Sequence, residues 1–146
     1  MQELKVLFLM WPADCNDAHI PAYSDDFLKN LSAELGVRVS NGTLEEVAAQ
    51  ELPVFFIASG GAEPGFLKSH TAVKPPYILL TTPAYNSLAA AMEILGYLEE
   101  QGKPGEILHG SIESIAKRLG VLMRVATAKR KINGMRLGAI GKPSGL

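Results

Sequence analysis

Cysteine occurs once in this chain, at position 15. A single thiol closes no internal disulfide, so a disulfide-stapled fold is excluded and a reducing compartment fits. Neither sign of charge is in excess: 14 Lys and Arg stand against 15 Asp and Glu, for a net charge of −1. That removes a general electrostatic pull toward nucleic acid, and no nucleic-acid partner is expected. Long apolar runs are missing too; none approaches the roughly 18–20 residues that a membrane span needs. Met1 to Lys5 leads straight into a strand-like run, without a charged leader, an apolar segment and a cleavage site. A cytoplasmic protein with no membrane partner is the expectation. The chain also lacks internal repeats and low-complexity segments. Its one basic run, Lys129-Arg130-Lys131, falls at the end of a helical pattern, where it complements the helix dipole.

What is present is a globular composition: 146 residues, 47% hydrophobic and 20% charged. That is enough chain to bury a core of its own. Lys5 to Trp11 (KVLFLMW), Pro53 to Ala58 (PVFFIA) and Tyr77 to Thr82 (YILLTT) are apolar runs of the kind that form strands buried on both faces. Val37 to Ser40 and Glu106 to Gly110 read as shorter strands. Between them lie helical patterns. Ser24 reads as an N-cap ahead of the stripe Phe27, Leu28, Leu31 and Leu35, and Gly36 stops that helix. Thr43 and Glu46 have capping-box spacing. A brief helix is expected near Phe66 to Ser69. Asn86 and Ser111 read as caps of two longer helices, the second closed by Asn133-Gly134.

Strict alternation of strand and helix implies a parallel sheet covered on both faces. The expected fold is therefore α/β: an open doubly wound parallel sheet, three layers α/β/α, with the flavodoxin-like strand order 2-1-3-4-5. Arg136 to Ile140 reads as an extra C-terminal strand. Residues 1–134 are read as the domain, and 135–146 as the start of a following domain or linker strand, cut short.

In such sheets ligands bind beyond the carboxyl ends of the strands. The residues there include Trp11, Asp14, Cys15, Asn16, Asp17 and His19; Ser59, Gly60, Gly61 and Glu63; Thr81, Thr82, Tyr85, Asn86 and Ser87; and His109, Gly110 and Ser111. Caps and turns use the same residue types, which accounts for about half of them. Asp14 to His19 mixes hard and soft metal-ligand types at a spacing that matches no structural zinc pattern, so a metal there is disfavoured. A Cys15 nucleophile served by His19 or His109 competes with inert packing. Ser59-Gly60-Gly61-Ala62-Glu63 is neither a GxGxxG fingerprint nor a Walker A loop. Glu63 would repel a phosphate, so a carbohydrate hydroxyl is the better ligand for its carboxylate and bare backbone groups, with a plain glycine turn as the alternative. His109 has the chemistry of an acid/base or of a rim residue.

Three segments together carry a family resemblance: ASGGAE (Ala58 to Glu63), TTPAYNSLAAAMEILGYL (Thr81 to Leu98) and RLGAIGKPSGL (Arg136 to Leu146). In this order the chain resembles, over nearly its whole length, the N-terminal domain of L-fucose/L-arabinose isomerase-like sugar isomerases. The resemblance implies a role in aldose–ketose interconversion. It also implies a divalent cation, typically manganese, bound by later domains whose positions do not occur here, so this chain alone is expected to be inactive. The implied partners are the missing downstream domains, other copies in a homo-oligomer, and a sugar. Gly60, Gly61, Glu63, Asn86, Ser87 and His109 are then candidates for substrate contact rather than catalysis. Two other readings compete: a stand-alone flavodoxin-like module for a small ligand, with flavin disfavoured because no Ser/Thr-rich phosphate loop follows the first strand, and a thiol enzyme using Cys15.

Overall fold

Five strands and five helices alternate along the chain in a computed structural model that describes residues 3–11, 18–138 and 140–141. The strands are β1 (Glu3–Leu9), β2 (Arg38–Asn41), β3 (Val54–Ile57), β4 (Tyr77–Thr81) and β5 (Gly105–Leu108). The helices are α1 (His19–Leu35), α2 (Leu44–Ala48), α3 (Glu63–Ser69), α4 (Ser87–Glu100) and α5 (Ile112–Asn133); a 3-10 turn, His70–Ala72, follows α3. All four strand pairings are parallel and the order is β2-β1-β3-β4-β5, the expected flavodoxin-like arrangement.

The pleat divides the core in two. Val54, Phe56 and Ala58 point to one face, Phe55 and Ile57 to the other, as the two-residue period of a strand requires. On the first face Leu4, Val6, Ile78 and Leu80 join Phe27, Leu28 and Leu31 of α1 and Ile115, Ala116 and Leu119 of α5. On the second, Leu79 and Tyr77 meet Phe66 of α3 and Ala90, Ala91, Ile94 and Leu98 of α4. Both faces of β3 and β4 are thus sealed, which is why their sequences run apolar without alternation.

The local signals work unevenly. Thr43 and Glu46 form the capping box as expected: Thr43 Oγ1 accepts from Glu46 N at 3.2 Å, and Glu46 Oε2 accepts from Thr43 N at 2.7 Å. Ser111 caps α5, accepting from Ser114 N at 3.2 Å. Ser24 does not cap α1. The helix begins at His19, and Ser24 sits one turn inside it, buried, its hydroxyl without a hydrogen-bond partner. Pro21 lies in the first turn, where proline is tolerated, and the buried Ile20 anchors that turn to the core.

The extra strand expected over Arg136–Ile140 is not formed among the described residues. Arg136 to Gly138 and Ile140 have no regular structure, and Leu137 and Ile140 are fully exposed. A strand needs a neighbour to satisfy its backbone, and this stretch pairs with none of the five. No helix among the described residues is long and apolar enough to cross a membrane.

Candidate functional site

The strand order reverses between β1 and β3, so the loops leaving these strands diverge and open a crevice above them. A cleft of about 490 Å³ lies there, lined by Met10, Trp11, Ile20, Ser59, Gly60, Gly61, Tyr85 and Asn86. Its floor is tied together by backbone geometry. Trp11 N donates to Ser59 Oγ at 2.9 Å, joining the ends of β1 and β3. Gly60 N donates to Tyr85 O at 2.8 Å, joining the loops after β3 and β4.

Gly61 is required at its position for two reasons. Its φ of +76° is left-handed, and a Cβ there would stand 1.8 Å from Cε3 of Trp11. The indole therefore lies on bare backbone, 51% exposed, and presents its surface to the cleft. Tyr85, 39% exposed, adds a second aromatic ring, held edge-on against Tyr23 of α1 at 5.5 Å between centroids.

Tyr85 and Asn86 both have left-handed backbones, φ +54° and +57°. Asn adopts this conformation with little difficulty; a tyrosine does so only where its surroundings impose it. Asn86 occupies the cap position of α4 as expected, but from this backbone its side chain makes no capping bond. Asn86 is one of the residues that line the cleft.

A second, adjoining cleft of about 390 Å³ is lined by Thr82, Pro83, Ala84, Asn86, Ser87, Leu88, Ala89, Met92 and His109. His109 Nδ1 is 2.8 Å from Thr81 Oγ1, which in turn donates to Leu108 O at 3.1 Å. Thr81 has one proton. With that proton on Leu108 O, the contact is satisfied by a His109 that donates from Nδ1.

The six residues expected to contact substrate are thus sorted by the fold. Gly60, Gly61 and Asn86 share the first cleft; Asn86, Ser87 and His109 share the second. Asn86 is the link. Ser87 is fully buried, its hydroxyl donating to Ile57 O and accepting from Thr82 N at 2.9 Å, so most of its hydrogen-bonding capacity holds the β3–β4 loops together. Glu63 opens α3 and lines a separate 150 Å³ cavity with Phe66, Leu67, Glu93, Ile94 and Tyr97, so it is not brought to Gly60 and Gly61. Trp11 and Tyr85 stood among the strand-end residues; that Gly61 seats the Trp11 indole has no signal in the sequence.

Among the described residues no group of three or more His, Cys, Asp and Glu is placed to hold a metal ion. Asp14, Cys15, Asn16 and Asp17 lie outside the described residues, as does any pairing of Cys15 with His19 or His109. No protein-family model, curated protein or solved structure matches this chain.

Proposed function

We propose that this chain is a sugar-contacting α/β domain of the kind found at the N-terminus of fucose/arabinose isomerase-like enzymes, supplying substrate-side contacts and packing between copies but not the metal-dependent chemistry. The observation that carries this reading is the Trp11 indole, packed against the backbone of Gly61 in a cleft that it shares with Tyr85, Ser59 and Asn86, whose side chain caps no helix. An aromatic plane takes the C–H face of a sugar, and an amide that both donates and accepts matches its hydroxyls. His109 supplies a further polar group at the adjoining cleft. In the resembled enzymes the aldose–ketose step uses a divalent cation such as manganese held by later domains; those domains, a sugar and further copies of the chain are the partners this reading implies.

The test is a titration of Trp11 fluorescence, Trp11 being the one tryptophan, with pentoses and 6-deoxyhexoses, together with an isomerase assay in the presence of manganese. Saturable changes with sugars and no turnover are expected. Turnover by the chain alone would overturn the division of labour. The second reading is a self-contained small-ligand module, favoured by the position of the cleft at the β1–β3 switch point. A thermal shift with a nucleotide or flavin and none with sugars would establish it instead.

A further inference from the structure

The near balance of charge hides its distribution. All 15 Asp and Glu stand at or before Glu113, and eight of the 14 Lys and Arg follow it. The chain from Ser114 onward is therefore cationic without a single acid, and most of it is α5. Arg118 and Arg130 are held within the chain, by Glu106 and Glu51. Lys117, Arg124, Lys129 and Lys131 pair with no acid among the described residues.

The same stretch carries exposed apolar side chains. Met123 is the last buried residue of α5, and every described residue from Ala128 to Ile140 is exposed. Val125, Ile132 and Met135 are 58%, 65% and 74% exposed, and Leu137 and Ile140 entirely so. On α5 the two features are ordered. Val121, Val125, Ala128 and Ile132 follow at intervals of four, three and four, which is one line along a helix. That line lies opposite Ile115, Leu119 and Met123, which face the core. Lys117, Arg124 and Lys131 recur every seven residues along its α1 side, the side on which Gly120 meets Leu35. Lys129 stands on the other side. A face that meets only water gains nothing from an apolar line set between cations.

We propose that this outer face of α5, with the apolar residues that follow it, docks on an anionic lipid bilayer. The apolar side chains enter the boundary between headgroups and acyl chains. The flanking lysines and arginines lay their stems along that boundary and meet the lipid phosphates and carboxylates. The contact lies on the surface and needs no spanning helix. Charge alone would fit a nucleic acid equally well. A phosphate backbone does not match exposed aliphatic side chains, however, and no Phe, Trp or Tyr follows Tyr97 to stack on bases. Thr127 and Arg130 reach Glu51, just ahead of β3, so this end of α5 lies at the amino ends of the strands. Both clefts lie at the carboxyl ends and stay open when the face is docked, so the proposal is independent of sugar binding.

Co-sedimentation of the whole chain with vesicles tests it, using phosphatidylcholine alone and phosphatidylcholine mixed with phosphatidylserine. Binding to the mixed vesicles that weakens as salt is raised is expected, with little binding to the neutral ones. Lys129→Ala/Lys131→Ala should weaken it roughly 30-fold. Val125→Ser/Ile132→Ser, which keeps every charge, should weaken it roughly tenfold or more. All four positions are exposed, and circular dichroism checks that each variant keeps its helices. No binding to the mixed vesicles overturns the proposal. So does binding that the serine variant leaves unchanged, since that is charge attraction alone. Tighter binding to a single-stranded oligonucleotide than to the mixed vesicles also overturns it and assigns the face to nucleic acid.

Discussion

The indole of Trp11 rests on the backbone of Gly61 so closely that a methyl group on that residue would fall 1.8 Å from Cε3. No small adjustment absorbs such an overlap, and the left-handed φ of +76° adds about 1–2 kcal/mol for any L side chain. Gly61→Ala is therefore expected to lower stability by at least that amount in a denaturant titration, and to move Trp11 off its seat. Because Trp11 is the single tryptophan, its emission reports the displacement directly. An unchanged spectrum with unchanged stability would show that the glycine is not the seat.

Asn86 separates stability from binding. Its backbone is left-handed and its side chain caps nothing, so Asn86→Gly removes a small conformational penalty without removing a helix cap. Stability should stay level or rise by a few tenths of a kcal/mol, while the fluorescence response of Trp11 to sugars weakens. Asn86→Ala, which keeps a Cβ at the same φ, should lose binding and also about 1 kcal/mol of stability. Equal binding by all three proteins would remove Asn86 from the site.

Ser87 tests the opposite case. Its buried hydroxyl bridges Ile57 O and Thr82 N, and Ser87→Ala leaves both backbone groups without that partner. A loss of about 1–3 kcal/mol is expected from thermal or chemical unfolding. If the variant is as stable as the parent but fails to bind, the hydroxyl is a ligand contact rather than a tie between loops.

The strand order and both layers of helices were legible because β3 and β4 are buried on two faces, and VFFI and YILLT record this as uninterrupted apolar runs. The capping box at Thr43 was legible because all its atoms lie within four residues. The start of α1 was not. Pro21 reads as a loop residue, and only the tertiary burial of Ile20 shows that the helix has already begun. Among the described residues of Arg136–Ile140 no strand forms, for a related reason: a strand-like pattern specifies a strand only where a neighbour is at hand to bond it. At the site, glycines and Asn86 could be named from their chemistry. Their sorting into two clefts, and the separation of Glu63 from both, depends on where α3 and α4 pack.

Ser24 is a residue the fold would do better without. It lies inside α1, 1% exposed, with an unpartnered hydroxyl. Burying such a group costs about 1–3 kcal/mol, and alanine is the better helix former by roughly half a kcal/mol. Ser24→Ala is expected to stabilise the chain, raising the denaturation midpoint without altering the unfolding slope. Destabilisation would mean that the hydroxyl has a partner in solution.

Glu106 and Arg118 tie β5 to α5 through two bonds, Nε to Oε1 at 2.6 Å and Nη2 to Oε2 at 2.8 Å. The guanidinium's hydrogen bonds, more than its charge alone, hold the Glu106 carboxyl below its ordinary value; partial burial opposes this without overcoming it. A carboxylate whose pKa is lower in the folded state stabilises the fold above the ordinary carboxylate value. That contribution disappears as the pH falls through the depressed one. Arg118→Met keeps an apolar stem and removes the partner, so Glu106 should titrate at higher pH in a carboxyl-detected NMR experiment. The acid limb of the stability profile should then depend less steeply on pH between the two values. Arg118 is half exposed and Glu106 about one-third exposed, 50% and 34%, so solvent screens the pair and the titration is a sharper measure than the unfolding midpoint. A Glu106 titration that does not move in the variant would show that the fork between β5 and α5 is not populated in solution.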